Sequence, residues 1–285
     1  MKTITKLWAS AAICGAMLTG MAQADPHPTA ELIIEGELHL ATRAEPPEHL
    51  GGALPEIYSG WLFRTDETRE LQMDDFDNPG ILFTERGLDR WEMADGATEQ
   101  SCADCHGDVE SMAGVRAVMP KVNEDGELWA LQNYINNCRT ERMEADAWGW
   151  RSEPMKDMTS LISLQSRGMP VAVQMDGDHA PFWEQGREMY YTRFGQLELS
   201  CANCHEDNWG RMIRADHLSQ GMSNGFPTYR LKNASIVPLH QRFLGCIRDT
   251  RGETFAEGSP EFIALELYVA SRGLGLPIEG VSVRQ

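Results

Sequence analysis

Along this chain, apolar side chains recur at three- and four-residue spacing in several stretches, and no run alternates cleanly enough with polar residues to argue a sheet. The clearest stretch is SPEFIALELYVASRG, 259–273. Ser259 is placed to cap a helix and Pro260 falls in its first turn; Phe262, Leu265 and Val269 share one face, and Gly273 ends it. MTSLISLQSRG (158–168) and WEQGREMYYTRFG (183–195) read the same way. The pattern predicts a mainly α protein. The segment PVAVQMDGDHAP, 170–181, mixes prolines, Gly177 and acids between two helical patterns, which puts a domain boundary near Asp176. Residues 25 to about 75, rich in Pro and Glu before SGWLFRTDETRELQMDDFDN, are expected to form an arm packed on the first domain.

The helical stretches belong to a loose internal repeat. Cys102-Ala-Asp-Cys105-His106 is followed by Cys138 in NCRTERM and by SLQSRGMP; Cys201-Ala-Asn-Cys204-His205 is followed by Cys246 in GCIRDTR and by YVASRGLGLP. Three landmarks thus recur in one order, as two tandem related domains, 25–176 (with the arm) and 177–285, would require. Ahead of them, residues 1–24 carry Lys2 and Lys6, an apolar run and the small-residue site AQA, the pattern of a secretory leader removed after Ala24. Removal of that leader takes Cys14 with it and leaves 23 basic against 43 acidic side chains, a formal charge of −20. Such a charge argues against nucleic acid as a partner and for a soluble exported protein. No later apolar run approaches the ~20 residues of a membrane span.

Two Cys-x-x-Cys-His motifs in an exported chain fit covalent c-type haem: Cys102 with Cys105, and Cys201 with Cys204, supply thioethers, and His106 and His205 supply iron ligands. Zinc is the competing chemistry, but it would need a second close-spaced pair in each half. A disulfide within each motif would leave both histidines unexplained. For the remaining iron position Met143 and Met169 are candidates in the first domain. The repeat, however, aligns Cys138 with Cys246 and gives neither methionine a counterpart in the second half. A Cys138–Cys246 disulfide is the bland alternative, and it would have to cross between the domains.

The two lone cysteines differ in surroundings. From Tyr229 to Arg251, Arg230, Lys232, Arg242, Arg248 and Arg251 face a single acid, Asp249, whereas the arginines around Cys138 are cancelled by Glu141, Glu144 and Asp146. An island of net +4 in so acidic a protein would attract a small anion and favour a thiolate at Cys246. Pairing of these arginines with haem propionates is the plain alternative.

Over nearly the whole mature chain, in SGWLFRTDETRELQMDDFDNPG, CADCHGDV, NNCRTERM, GREMYYTRFGQLELSCANCHEDNW, IRADHLSQGMSNGFPTYRLKN, RFLGCIRDTRG and SPEFIALELYVASRG, the sequence resembles the SoxA family of dihaem cytochromes. The resemblance implies tandem cytochrome c-like domains, a periplasmic location and L-cysteine S-thiosulfotransferase activity, in which thiosulfate is joined oxidatively to a cysteine of the SoxYZ carrier. It implies pairing with a small SoxX-like c-type cytochrome. It also implies that Cys138 and Cys246 are the distal haem ligands, that Cys246 is the catalytic thiolate or persulfide, and that Arg242 contacts substrate. Arg248 and Arg272 are expected to assist it. A non-catalytic dihaem electron carrier would need no basic island at Cys246, a dihaem peroxidase would want a displaceable His or Met there, and a zinc module would show no haem spectrum.

Overall fold

The structure, a computed structural model, describes residues 30–285. The leader expected at 1–24 lies outside the described residues. Among the described residues nine α-helices carry the fold: α1 Asp66–Met73, α2 Ile81–Glu92, α3 Cys102–His106, α4 Leu131–Asn137, α5 Glu153–Leu164, α6 Ala180–Tyr191, α7 Cys201–His205, α8 Leu239–Asp249 and α9 Pro260–Arg272. Among the described residues no helix is long and apolar enough to cross a membrane.

The repeat is visible in three dimensions. In each half a long helix precedes the Cys-x-x-Cys-His turn and packs on the helix that ends in Ser-Arg-Gly: α2 on α5, and α6 on α9. Glycine permits both crossings. A Cβ on Gly87 would lie 2.6 Å from the Asp157 carbonyl oxygen, and one on Gly186 would lie 2.0 Å from that of Ala264, so any larger residue forces the helices apart. The two Ser-Arg-Gly segments then meet. Gly168 N–H donates to Ile278 O, Ile278 N–H to Met169 O, and Val171 N–H to Leu276 O, so the halves are stitched by main chain.

Ser259 caps α9 as its sequence suggests, by accepting from Phe262 N–H. The core follows α9, buried from Phe262 to Arg272: Ile263, Leu267 and Ala270 pack with Val171, Val173 and Ile278, while Phe262, Leu265 and Val269 pack with Tyr190, Leu239, Phe243 and Ile247 of the second half. Five small sheets are also present, with strands of only two or three residues. Strands that short cannot show period-two alternation, which is why the sequence pattern gave no sign of them. One of them matters for the site. Thr228–Arg230 pairs antiparallel with Ser235–Val237 and parallel with Ser282–Arg284, which puts Arg284 opposite Arg230.

The arm corrects an expectation. It packs mainly on the second domain, because its apolar residues find partners there: Leu50, Leu54 and Ile57 cluster with Met222 and Leu276. Polar contacts follow the same course, with Ser59 and Gln72 bonded to the buried Glu279. Asp75 is the counter-example, paired with Arg167 of the first domain.

Candidate haem and thiol site

Each Cys-x-x-Cys-His segment is folded by its own cap. Ser101 accepts from Asp104 N–H while Asp104 accepts from Ser101 N–H, and Ser200 and Asn203 repeat the arrangement. The box forces a single helical turn, which turns both cysteines and the histidine toward one side. In α7, His205 Nδ1 lies 2.7 Å from Ser219 O. That contact assigns the proton to Nδ1 and leaves Nε2 as the metal-facing nitrogen. Gly221, at φ +76°, lies against the ring, where a Cβ would come within 2.9 Å of His205 Cγ.

The second site is a cleft of about 220 Å³ lined by Cys201, Cys204, His205, Met222, Arg242 and Cys246, among others. Helix α8 gives the cleft both an apolar and a polar wall. Leu239, Phe243 and Ile247 are buried and form its apolar part, and Arg242, Cys246 and Asp249 add its polar part. Burial, followed by the nearby Cys246 and Cys204, pushes the Cys201 thiol up to about 12. Burial and Cys246 likewise raise Cys204. The nearby Cys246, outweighing burial, holds Arg242 above its ordinary value. Among the described residues no cysteine is in a disulfide, Cys138 and Cys246 included.

Three further arginines line the cleft. Arg64 pairs with Asp216 and donates to His217 O at 3.0 Å. Arg230 reaches Asp216 at 3.5 Å and Gln285 O at 2.7 Å. Arg284 is held by Glu279 and by Gln72, both at 2.7 Å. Burial and then the neighbouring Arg242 bring Arg230 down to about 10. Arg64 and Arg284 lie far from Cys246 in sequence, at the end of the arm and at the C-terminus, and nothing in their own segments marks them; only the fold brings them in.

Of the expected assisting residues, Arg248 is exposed, with Nη2 beside Gly245. Arg272 is fully buried, paired with Glu206 and 4.3 Å over the Tyr190 ring. Neither lines the cleft. The buried Arg64 Nε and Tyr190 hydroxyl, both belonging to residues that line the cleft, have no protein partner. So do Arg272 Nε and Nη2 behind it. Unpaired buried donors of this kind call for acceptors, and haem propionates are the acceptors that fit beside a Cys-x-x-Cys-His turn.

The first site repeats the ligand set in a more open setting. Cys105 and His106 are exposed. Trp91 lies 5.8 Å from the His106 ring and donates to Gly107 O. Cys138 begins a π-helical turn, Cys138–Arg142. Burial and Cys138 raise Cys102 to about 11, and burial and Cys105 raise Cys138, so these thiols also cluster. Arg139 is occupied elsewhere, by Asp95 at 2.8 Å and the Trp148 ring at 3.9 Å. Met143 is buried, and Met169 is partly exposed with its Sδ against Gly114.

Two capped Cys-x-x-Cys-His turns, each with a third thiol across from it on a helix-rich fold, define a dihaem c-type cytochrome. The comparisons with known proteins agree. Residues 86–171 match the family description "SoxA/TsdA, cytochrome c domain". The chain is 58% identical to the L-cysteine S-thiosulfotransferase subunit SoxA of Paracoccus pantotrophus over 99% of this chain and 98% of that protein. It is 54% identical to the subunit of the same name from Rhodovulum sulfidophilum, over the full length of both. The crystal structure of SoxXA from P. pantotrophus superposes with a TM-score of 0.89 at 59% identity, covering 92% of this chain and 100% of that one. The chain belongs to the SoxA family, and its cofactors are two covalently bound c-type haems.

Proposed function

We propose that this protein is the haem-bearing subunit of an L-cysteine S-thiosulfotransferase, joining thiosulfate to a cysteine of a SoxYZ-type carrier. The observation that carries the reading is that Arg242 and Cys246 share one face of α8 and line the same cleft as Cys201, Cys204 and His205. Arg242 binds the sulfonate oxygens by charge-assisted hydrogen bonds, while Cys246, as thiolate or persulfide, faces the outer sulfur. An S–S bond forms between those sulfurs with loss of two electrons. The carrier thiolate then attacks the transferred sulfur, and Cys246 leaves with the electron pair of the broken bond. Bound haem supplies the electron acceptor. Exposed Arg248 draws the anion toward the cleft, and buried Arg272, with Glu206, holds the cofactor side.

His106 and Cys138 would hold the iron of one haem, and His205 and Cys246 that of the other. Residues 25–176 and 177–285 are read as two cytochrome c-like domains, in an exported periplasmic chain cut after Ala24. The resemblance to SoxXA supports a heterodimer with a small c-type cytochrome. The test is Cys246→Ala in that heterodimer. Transfer of thiosulfate to the carrier should be lost while both haems stay attached, because the thioethers do not involve Cys246. Full activity in this variant would sink the reading.

A further inference from the structure

Helix α8 carries both proposed reactive residues, and the first domain grips it on its other side. His240, in the first turn of α8, is almost wholly buried. Its ring is stacked on Trp150 of the first domain at 4.7 Å and 9°. Nδ1 accepts from Gly258 N–H at 3.0 Å, so the proton sits on Nε2, which lies 3.1 Å from Glu266 Oε2 though off the line of a hydrogen bond. Trp150 also closes on Gly258, where a Cβ would fall 2.5 Å from the indole. The next residues join in the same contact, with Arg151 and Glu257 paired at 2.8 Å.

The stretch bearing Trp150 is itself tied to the first ligand helix. Asn136, two residues before Cys138, donates to Trp148 O at 2.9 Å and accepts from Trp148 N–H at 2.8 Å. A second strut runs parallel. Arg116, buried and without a bonded carboxylate, donates to Phe226 O on the cleft wall and to Ser223 O beside it, and Glu266 offsets its charge.

We propose that Trp150 is a positioning residue for the second site: through its stack on His240, the first domain fixes the tilt of α8 and so the placement of Cys246 and Arg242. The inference rests on the reading of Cys246 given above. Cys246 lies about 9 Å along the helix from His240, so a tilt of about 6° moves it by about 1 Å. Displacement of that size at a reacting atom costs up to about 100-fold in rate. Leu239 and Ile247 hold α8 against the core as rounded aliphatic side chains, and the Phe243 ring packs on His240 and Phe262 within the second half. The flat indole-on-imidazole contact is what registers its angle.

The experiment compares Trp150→Ala and Trp150→Phe in the assembled heterodimer. Two quantities are read: the low-temperature EPR signal of the thiolate-ligated second haem, and kcat and KM for thiosulfate with carrier. Trp150→Ala is expected to shift or broaden the second-haem signal and leave the first-haem signal as it was. It should lower kcat about tenfold, with KM within about twofold. Trp150→Phe, which keeps an aromatic face, is expected to restore both. Should Trp150→Ala not assemble, Trp150→Leu carries the same expectations. An unchanged second-haem signal with unchanged kcat, or a loss confined to KM, overturns the proposal. The wild-type spectrum separates the two readings. A failed positioning role leaves the wild-type thiolate signal intact and identical in the variant, whereas a wrong ligand assignment removes it from the wild type and the inference falls with it.

Discussion

Replacement of Arg242 by alanine tests the cleft's charge most directly. Arg242 faces Cys246, and its charge adds to burial in depressing Arg230 and, behind burial and Arg284, Arg64. A unit charge about 4 Å from another is worth about 4 kcal/mol at an effective dielectric near 20. Its removal also relieves repulsion within the arginine group, so the net loss falls toward the ~2 kcal/mol of one charged hydrogen bond. That corresponds to about a thirtyfold fall in kcat/KM for thiosulfate. Arg242→Lys keeps the charge without the planar fork and should lose about fivefold. The assay is initial-rate turnover with thiosulfate varied at saturating carrier and again at raised salt, where the wild-type rate should fall more steeply than that of the alanine variant. The haem spectrum serves as the check on folding. Unchanged kcat/KM in Arg242→Ala, or a defect seen only when carrier is varied, would refute the assignment and leave Arg242 as a propionate partner.

Other changes have equally definite outcomes. Cys138→Met should raise the first haem's reduction potential with both haems retained, because a thiolate favours ferric iron more than a thioether does; a spectroelectrochemical titration with no positive shift would exclude Cys138 as ligand. Gly186→Ala should destabilise by about 3 kcal/mol, since its Cβ meets the Ala264 carbonyl at 2.0 Å, and calorimetry should show Tm lower by about 6–10 °C. His49, packed edge-on to Trp183 and Tyr268, has its pKa lowered from 6.5 to about 4 by burial and then by Arg272 and Arg187. Its folded form resists protonation, so its contribution to stability is present above pH 6.5 and is lost as pH falls toward 4. Halved for its partial exposure, that loss is about 1–2 kcal/mol. His49→Gln should flatten the corresponding part of the Tm–pH curve, and an unaltered curve would count against it.

What the sequence disclosed, and what it hid, follows from how local each determinant is. The Ser259 cap, the Gly273 stop and the spacing of Phe262, Leu265 and Val269 are contained in fifteen consecutive residues, and α9 forms where they place it. The capping boxes at Ser101 and Ser200 were equally local and readable as Ser-x-x-Asp and Ser-x-x-Asn. Arg64 and Arg284 were not. Arg64 reaches the cleft because the distant Asp216 holds it there, and Arg284 because its strand pairs with Thr228–Arg230 and the distant Gln72 binds its guanidinium. The same non-local logic moved the arm onto the second domain, where Met222 and Leu276 offered Leu50, Leu54 and Ile57 an apolar surface. Arg272 looked like its repeat partner Arg167, yet Arg167 turns to Asp75 while Arg272 turns inward to Glu206. The difference lies one residue past each motif, where Gly107 stands in the first and Glu206 in the second.

That single position shows how one duplicated unit came to serve two purposes. In the first copy a glycine follows the histidine, Cys105 and His106 face solvent, and Arg139 beside Cys138 is neutralised by Asp95. Of the arginines there, Arg142 is the one whose charge acts on the Cys138 thiol. In the second copy Glu206 draws Arg272 into the core behind the motif, the arm and the C-terminal strand bring Arg64 and Arg284 to the cleft, and Asp216, Asp249 and Glu279 stand against the four arginines that line it, with Arg64, Arg230 and Arg284 ion-paired and Arg242 in no ion pair among the described residues. An anion entering this cleft meets net positive charge in partly dehydrated surroundings, where each interaction is stronger than at the surface. The first copy supplies what the second lacks, a rigid body outside the reaction against which α8 can be held. The two sites are therefore divided by electrostatics rather than by ligand set: they share Cys-x-x-Cys-His and a facing cysteine, and it is the second that sets Arg242, in no ion pair among the described residues, beside its thiol.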